Sequence, residues 1–195
     1  MPVEIADMRV VASAIDGLWR IHAKAVTDER GTVREFFRTS GFAELGLPVP
    51  DRWAQVNMTW THRGGLRGLH GEAMTKLVGV AWGTALGAYV DARRDSPTFG
   101  AVETVALEPG VLVLVPPGVC NGFQATGDGD PGGCQYLYCF DDEWRPGMAG
   151  VAVNPLDPAL AIGWPIEPDP ADPAQVSAKD AAAPLFAELP GDGRG

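Results

Sequence analysis

From Trp53 onward the chain falls into short runs that are either continuously apolar or alternate between apolar and polar positions. These are AQVNMTWT, KLVGVAW, ALGAYVDA, AVETVAL, VLVLV and CQYLYCF, separated by Gly and Pro at strand-like spacing. Six such runs predict a sandwich or a barrel. In the last of them Tyr136, Tyr138 and Phe140 share one face while Leu137 and Cys139 share the other, the period of two expected of a strand, so that one tyrosine is placed to line a cavity. The N-terminal third carries weaker signals: a strand over Leu18 to Val26, and a helical turn or two over Gly41 to Leu47 before Pro48. After Trp164 the segment PIEPDPADPA is acidic and proline-broken, which predicts an extended surface connection ahead of a brief element near Ala181 to Leu189. No internal repeat is visible, so residues 1–195 read as a single domain with a proline-rich extension from about 165.

Composition sharpens this picture. A chain of 195 residues, 46% hydrophobic, buries roughly 70% of its unfolded surface without an external staple. With 25 Gly and 17 Pro, long helices are disfavoured and short strands favoured. Fifteen Lys and Arg stand against 25 Asp and Glu, a net charge of -10 that disfavours non-specific binding to nucleic acid or to an anionic membrane while leaving room for a small anion. The charge-free stretch from Leu77 to Val90 is too short and glycine-rich to span a bilayer. The opening MPVEIADMRV lacks a cationic lead-in to an apolar run, so no secretory signal is expected and the predicted location is cytoplasmic. Cys120, Cys134 and Cys139 form no CxxC pair and read as reduced, buried thiols.

Candidate chemistry gathers in few places. Of three histidines, His22 alternates with Ile21 and Ala23 and reads as structural, and His62 reads as a solvated loop residue ahead of Arg63. His70 differs. Arg67 precedes it and Lys76 follows it, on the glycine-flexed stretch RGLH; on these residues alone a functional and a structural histidine fit equally well. Further on, Gly110, five apolar residues, Pro116, Pro117, Gly118, Val119, Cys120 and Asn121 follow the spacing of the second motif of cupin barrels. In metal-dependent cupins the last position is a histidine ligand. Here it is Asn121, and the first motif supplies His70 and Glu72 alone, which leaves a metal centre short of donors. A cupin-like barrel without metal is the prediction, and a metal-dependent oxygenase or isomerase is the disfavoured alternative.

Taken in order, GLRGLH, KLV at Lys76, VDARRDSPTFG, VPPGVCNGF, YLYCF, DPALAIGWP and VSAKDAAAP resemble the dTDP-4-dehydrorhamnose 3,5-epimerase family, over roughly residues 20 to 186 and including ERG and EFF near the start. The resemblance implies an all-β, cupin-like double-stranded β-helix (a jelly-roll barrel) with a few short helices, and a metal-independent isomerase that needs no cofactor. It implies that His70 is the general base, Asp180 of SAKD its partner carboxylate, Tyr138 the acid, and Lys76 the lysine that follows the RGLH motif. Arg30, Glu35, Gln55, Asn57 and Arg67 would contact substrate, with Asn121 beside it. The implied partners are a dTDP-linked 4-keto-6-deoxy sugar and a second copy of the chain, in a homodimer exchanging N-terminal strands.

The chemistry asks for these residue types independently. A hydrogen beside a C4 ketone is a weak acid, so its removal needs a base with a pKa near working pH, which an imidazole oriented by a carboxylate supplies. The resulting enolate needs a donor or cation, which Lys76 is expected to provide. Inversion then needs an acid on the opposite ring face, the role of Tyr138. Arg30, Arg63, Arg67 and Lys76 are candidates for the diphosphate, and Trp144 or Phe123 for stacking on the base. Two departures from the family pattern stand out: Asn121 replaces a histidine, and the loop before Lys76 is shorter by about four residues. They motivate a rival reading, a non-catalytic cupin-like protein that binds a nucleotide sugar.

Overall fold

The structure, a computed structural model, describes residues 2–189. In chain order the strands are β1 (Glu4–Ala6), β2 (Arg9–Ala12), β3 (Trp19–His22), β4 (Ala25–Asp28), β5 (Gly31–Arg34), β6 (Gln55–His62) and β7 (Leu66–Glu72). They continue with β8 (Lys76–Gly83), β9 (Ala85–Asp91), β10 (Val102–Leu107), β11 (Val111–Val115), β12 (Val119–Ala125), β13 (Gly133–Phe140) and β14 (Gly150–Ala152). Among the described residues, helix is confined to α1 (Thr39–Glu44), α2 (Ala178–Ala181) and two 3₁₀ turns, Pro158–Leu160 and Phe186–Glu188. No helix among them is long and apolar enough to cross a membrane.

An antiparallel sheet ordered β2-β3-β11-β8-β13-β6 packs against a second, β10-β9-β12-β7-β14, while β1, β4 and β5 form a small separate sheet. The result is the all-β, cupin-like barrel that the sequence predicts. Alternation explains why both large sheets are apolar on two faces. In β11, Val111, Val113 and Val115 join Val78, Phe123 and Tyr136 in the core between the sheets. The intervening Leu112 and Leu114 turn outward to Ile21, Leu77 and Phe42, the last carried by α1. In β12, Val119, Phe123 and Ala125 point inward, and Cys120 points out to Leu69, Val90 and Leu160 under the C-terminal extension. Burying a Val, Leu or Phe side chain contributes roughly 1.5–3 kcal/mol, so three adjoining clusters hold the sheets and their coverings as one body.

Several expectations are refined. The run from Leu18 to Val26 is broken at Ala23 and Lys24 into β3 and β4, which join different sheets. Helix α1 occupies the expected place before Pro48 but begins at Thr39. Strands β7 and β12, which carry the candidate site, are absent from the six predicted runs because glycine interrupts their apolar pattern. The interruption has a steric cause. At Gly68, φ is +113° and an added Cβ would stand 2.6 Å from the Cα of Gly122 on the neighbouring strand, so the two backbones approach too closely for any side chain.

Candidate active site

A cavity of about 730 Å³ opens between β6, β7, β13 and the segment 173–180. On β6 the period of two turns Gln55, Asn57, Thr59 and Thr61 onto one face, and Asn57 pairs across the ladder with Tyr138. On β7 a simple alternation would put Arg67 and His70 on opposite faces. The β7–β12 register shifts between Asn121/His70 and Phe123/Arg67, a bulge that brings both side chains to the cavity. Arg67 Nε donates to the Thr61 hydroxyl at 2.9 Å, which leaves the rest of its guanidinium for the cavity.

The segment 173–180 is more than a surface connection. Val176 forms an isolated parallel β-bridge with Leu66, and the Ser177 hydroxyl caps α2 by accepting from the Asp180 N–H at 3.1 Å. The cap sets Asp180 so that its Oδ1 lies 2.7 Å from His70 Nε2, in a pair whose carboxylate side chain is only 9% exposed. Burial opposes the charge on Asp180, but the His70 bond, the His70 charge, the Ser177 hydroxyl and the Gly68 amide together outweigh it and hold the carboxyl below its ordinary pKa. A carboxylate on Nε2 selects the tautomer protonated there and leaves Nδ1 as the ring atom able to take a proton.

Tyr138 faces the same cavity from β13, its ring 4.8 Å from Tyr136 and 5.8 Å from Phe140, both in tilted contact on the shared face that the alternation predicts. Burial is the largest influence on its phenol and raises its pKa, so it remains protonated through the neutral range. Beneath the main cavity, sharing His70, Glu72 and Tyr138 with it, lies a chamber of about 50 Å³ that adds Lys76 and Asn121. Lys76, 4% exposed at its side chain, donates to the carboxylate of Glu72, to Asn121 Oδ1 at 2.6 Å and to the His70 carbonyl at 3.0 Å. An ammonium has three N–H donors, and these three acceptors take all of them. The Lys76 charge in turn overcomes the burial penalty on Glu72 and lowers its pKa.

Other expected residues lie elsewhere. Arg30 sits at the tip of the β4–β5 hairpin in the small sheet, 90% exposed and paired with Asp28. Glu35 pairs with Arg38 just beyond β5. Neither lines the cavity of its own chain, because the hairpin belongs to a sheet that does not border it. Arg63 pairs with Asp128 on the surface, and Phe123 is buried in a stack 3.9 Å from Tyr136, unavailable to a base. Trp144 is at the rim, its backbone N–H donating to Gln55 Oε1 at 2.8 Å. Residues the sequence reading missed are Thr61, Gln175, Ser177 and Lys179 on the cavity wall; Lys179 was detectable as the neighbour of Asp180. Among the described residues no three His, Cys, Asp or Glu side chains form a group able to hold a metal ion.

Comparison with known proteins identifies the family. A family profile described as dTDP-4-dehydrorhamnose 3,5-epimerase matches residues 12–188. The chain is 35% identical over 186 residues to the dTDP-4-dehydrorhamnose 3,5-epimerase of Salmonella typhimurium, spanning 92% of this chain and 96% of that one. It is 33% identical over 183 residues to the dTDP-4-dehydro-6-deoxyglucose 3-epimerase of Streptomyces bikiniensis, spanning 89% and 87%. The crystal structure of the Legionella pneumophila dTDP-6-deoxy-D-glucose-3,5-epimerase in complex with dTDP-4-keto-L-rhamnose superposes with a TM-score of 0.80 at 33% identity, covering 94% of this chain and 95% of that one. With the barrel, the ordered motifs and the full-length matches in agreement, the chain belongs to the dTDP-4-dehydrorhamnose 3,5-epimerase family of isomerases.

Proposed function

We propose that the protein epimerises a dTDP-linked 4-keto-6-deoxyhexose at C3, C5 or both, with His70 as base and Tyr138 as acid. The observation that carries the proposal is that one cavity is lined by both a carboxylate-held imidazole and a protonated phenol. His70 Nδ1 takes the proton beside the ketone, the electron pair moves onto the C4 oxygen as an enolate, and Tyr138 returns a proton to carbon from the other ring face. The proton on the imidazolium then restores the phenolate through solvent. Asp180 keeps the ring in the reactive tautomer and stabilises the imidazolium. Lys76 contributes positive charge to the floor of the site through the groups it holds. A volume of about 730 Å³ suits a nucleotide sugar. Arg67 and Lys179 line the cavity without a carboxylate partner among the described residues, which suits them to a diphosphate. Gln55 and Asn57 offer amides along the β6 wall.

The assembly is read as a homodimer. Val3, Ile5 and Val33 are exposed on or beside the small sheet, and Val56 and Met58 of β6 and Trp82 of β8 are exposed as well, apolar surface of the kind that partners cover. A second copy would also give Arg30 and Glu35 a cavity to reach.

The test is incubation with dTDP-4-keto-6-deoxyglucose in deuterium oxide, following label at C3 and C5 by NMR. Label that enters with the wild type and is lost in His70→Ala supports the enzyme, and the carbon labelled identifies the centre inverted. Absence of exchange under conditions where the Salmonella relative works would leave the non-catalytic binder.

A further inference from the structure

The chamber beneath the cavity, about 50 Å³, is too small for a sugar ring but holds one oxygen substituent, since roughly 10–15 Å³ of such cavity space admits a water molecule. Its polar lining is unusual in one respect. The buried ammonium there has spent its three donors on protein acceptors. Asn121 is itself 5% exposed, and because a lysine only donates, the Asn121 atom facing it must be the carbonyl Oδ1. The other end of the amide is thereby fixed. Among the described residues no partner is found for Nδ2, and it is not one of the fully enclosed unpartnered atoms either. It is a donor open to the chamber, on the strand position paired directly with His70.

We infer that Asn121, through Nδ2, is the catalytic donor to the C4 oxygen as the enolate forms, and that Lys76 and Glu72 are positioning residues acting through it. This rests on the epimerase reading of the site. The arrangement has a physical logic. An amide whose oxygen is bound to a buried ammonium is polarised toward its nitrogen, so its N–H groups donate more strongly than those of a free asparagine. The amide cannot rotate without abandoning the Lys76 bond, so the donor is oriented before substrate arrives, the condition under which such groups stabilise developing charge. Glu72 holds the ammonium from the other side. Had Lys76 been the direct donor, one of its three acceptors would have to be released at each turnover, the Glu72 carboxylate among them.

The two readings predict opposite results for loss of the amide. Asn121→Leu and Asn121→Ala are compared with wild type for deuterium entry beside the ketone of dTDP-4-keto-6-deoxyglucose at saturating substrate, with dTDP affinity measured by calorimetry and folding checked by thermal melting. Alanine only deletes atoms, so it keeps the test open if leucine disturbs the packing. Exchange is expected to fall about 10²- to 10³-fold while dTDP affinity stays within threefold. A folded variant that exchanges within fivefold of wild type, or faster because a lysine N–H has been freed, overturns the inference. So does a loss of exchange matched by an equal loss of dTDP affinity, which marks a structural role. Wild-type protein that exchanges nothing sinks the reading of the site itself and this inference with it; undiminished exchange in the variants sinks this inference alone.

Discussion

Replacing Asp180 by asparagine isolates the charge behind His70 with almost no change in shape. The carboxylate accepts from Nε2 at 2.7 Å, which places the two charge centres about 4 Å apart once the imidazole is protonated. At that distance an effective dielectric of about 20 gives an attraction of about 4 kcal/mol. The His70 side chain is 35% exposed, so water screens part of this, and half of it, about 2 kcal/mol, is a reasonable remainder. At about 1.4 kcal/mol per factor of ten, deprotonation slows about 30-fold from electrostatics alone. The asparagine adds a second loss: turning its NH₂ toward Nε2 stabilises the tautomer that carries its proton on Nδ1, which is useless as a base. Together these predict a fall of about 10³-fold, inside the range of roughly 10²- to 10⁴-fold that a positioned base supplies. The assay is the rate of deuterium entry beside the ketone at saturating substrate, with dTDP binding as control. Exchange in Asp180→Asn within threefold of wild type would refute the claim that this pair drives proton abstraction.

The same pair makes a prediction about acid. Because the folded-state pKa of Asp180 is lowered, its stabilisation is complete above the unfolded carboxyl value of about 3.9 and is lost as pH falls through the lower folded value; urea melts should show the gap between wild type and Asp180→Asn narrowing below about pH 4. Tyr138→Phe should let label enter while product formation drops about 10²-fold or more, and undiminished product in an NMR time course would remove Tyr138 from its role. Lys76→Met strands the Glu72 carboxylate in a largely enclosed site and should cost about 3–5 kcal/mol in chemical denaturation, with the added Glu72→Gln change recovering part of it. Burial pushes Cys120 and Cys134 up to about 12 and Cys139 to about 11, so none should react with a thiol reagent at pH 8 until the protein is unfolded.

The strands that stand out in the sequence are those in which packing keeps the apolar pattern unbroken, even where one residue, such as Tyr138, also lines the cavity. VLVLV announces itself because each residue answers to one of two apolar clusters, and CQYLYCF because Tyr136 belongs to the core and Tyr138 packs against it. Strands β7 and β12 hide because function and close approach displaced that pattern: Gly68 and Gly122 sit where a side chain has no room, and His70, Glu72 and Asn121 point inward where a barrel would otherwise carry valine. Motif resemblance still located His70, Tyr138 and Asp180, which the fold brings to one cavity from β7, β13 and α2. Motif order alone could not place Arg30 and Glu35, since nothing in ERG or EFF says that their hairpin leaves the barrel for another sheet. The state of Lys76 was equally invisible. Its three acceptors are a side chain four residues away, a side chain 45 residues away and a backbone carbonyl, a convergence that only the register of three strands creates.

Charge explains how a chain of net -10 presents a cavity suited to an anion. Two of the acids at the site are spent locally, Asp180 on His70 and Glu72 on Lys76, so the centre where protons move carries no excess negative charge to oppose an enolate. Arg67, tied only through Nε to a neutral hydroxyl, and Lys179 of α2 are left without a carboxylate partner on the wall. The remaining acids lie on other surfaces, where salt screens them beyond about 10 Å. An anion entering the cavity would therefore meet two cations at short range and the protein's net charge only at long range.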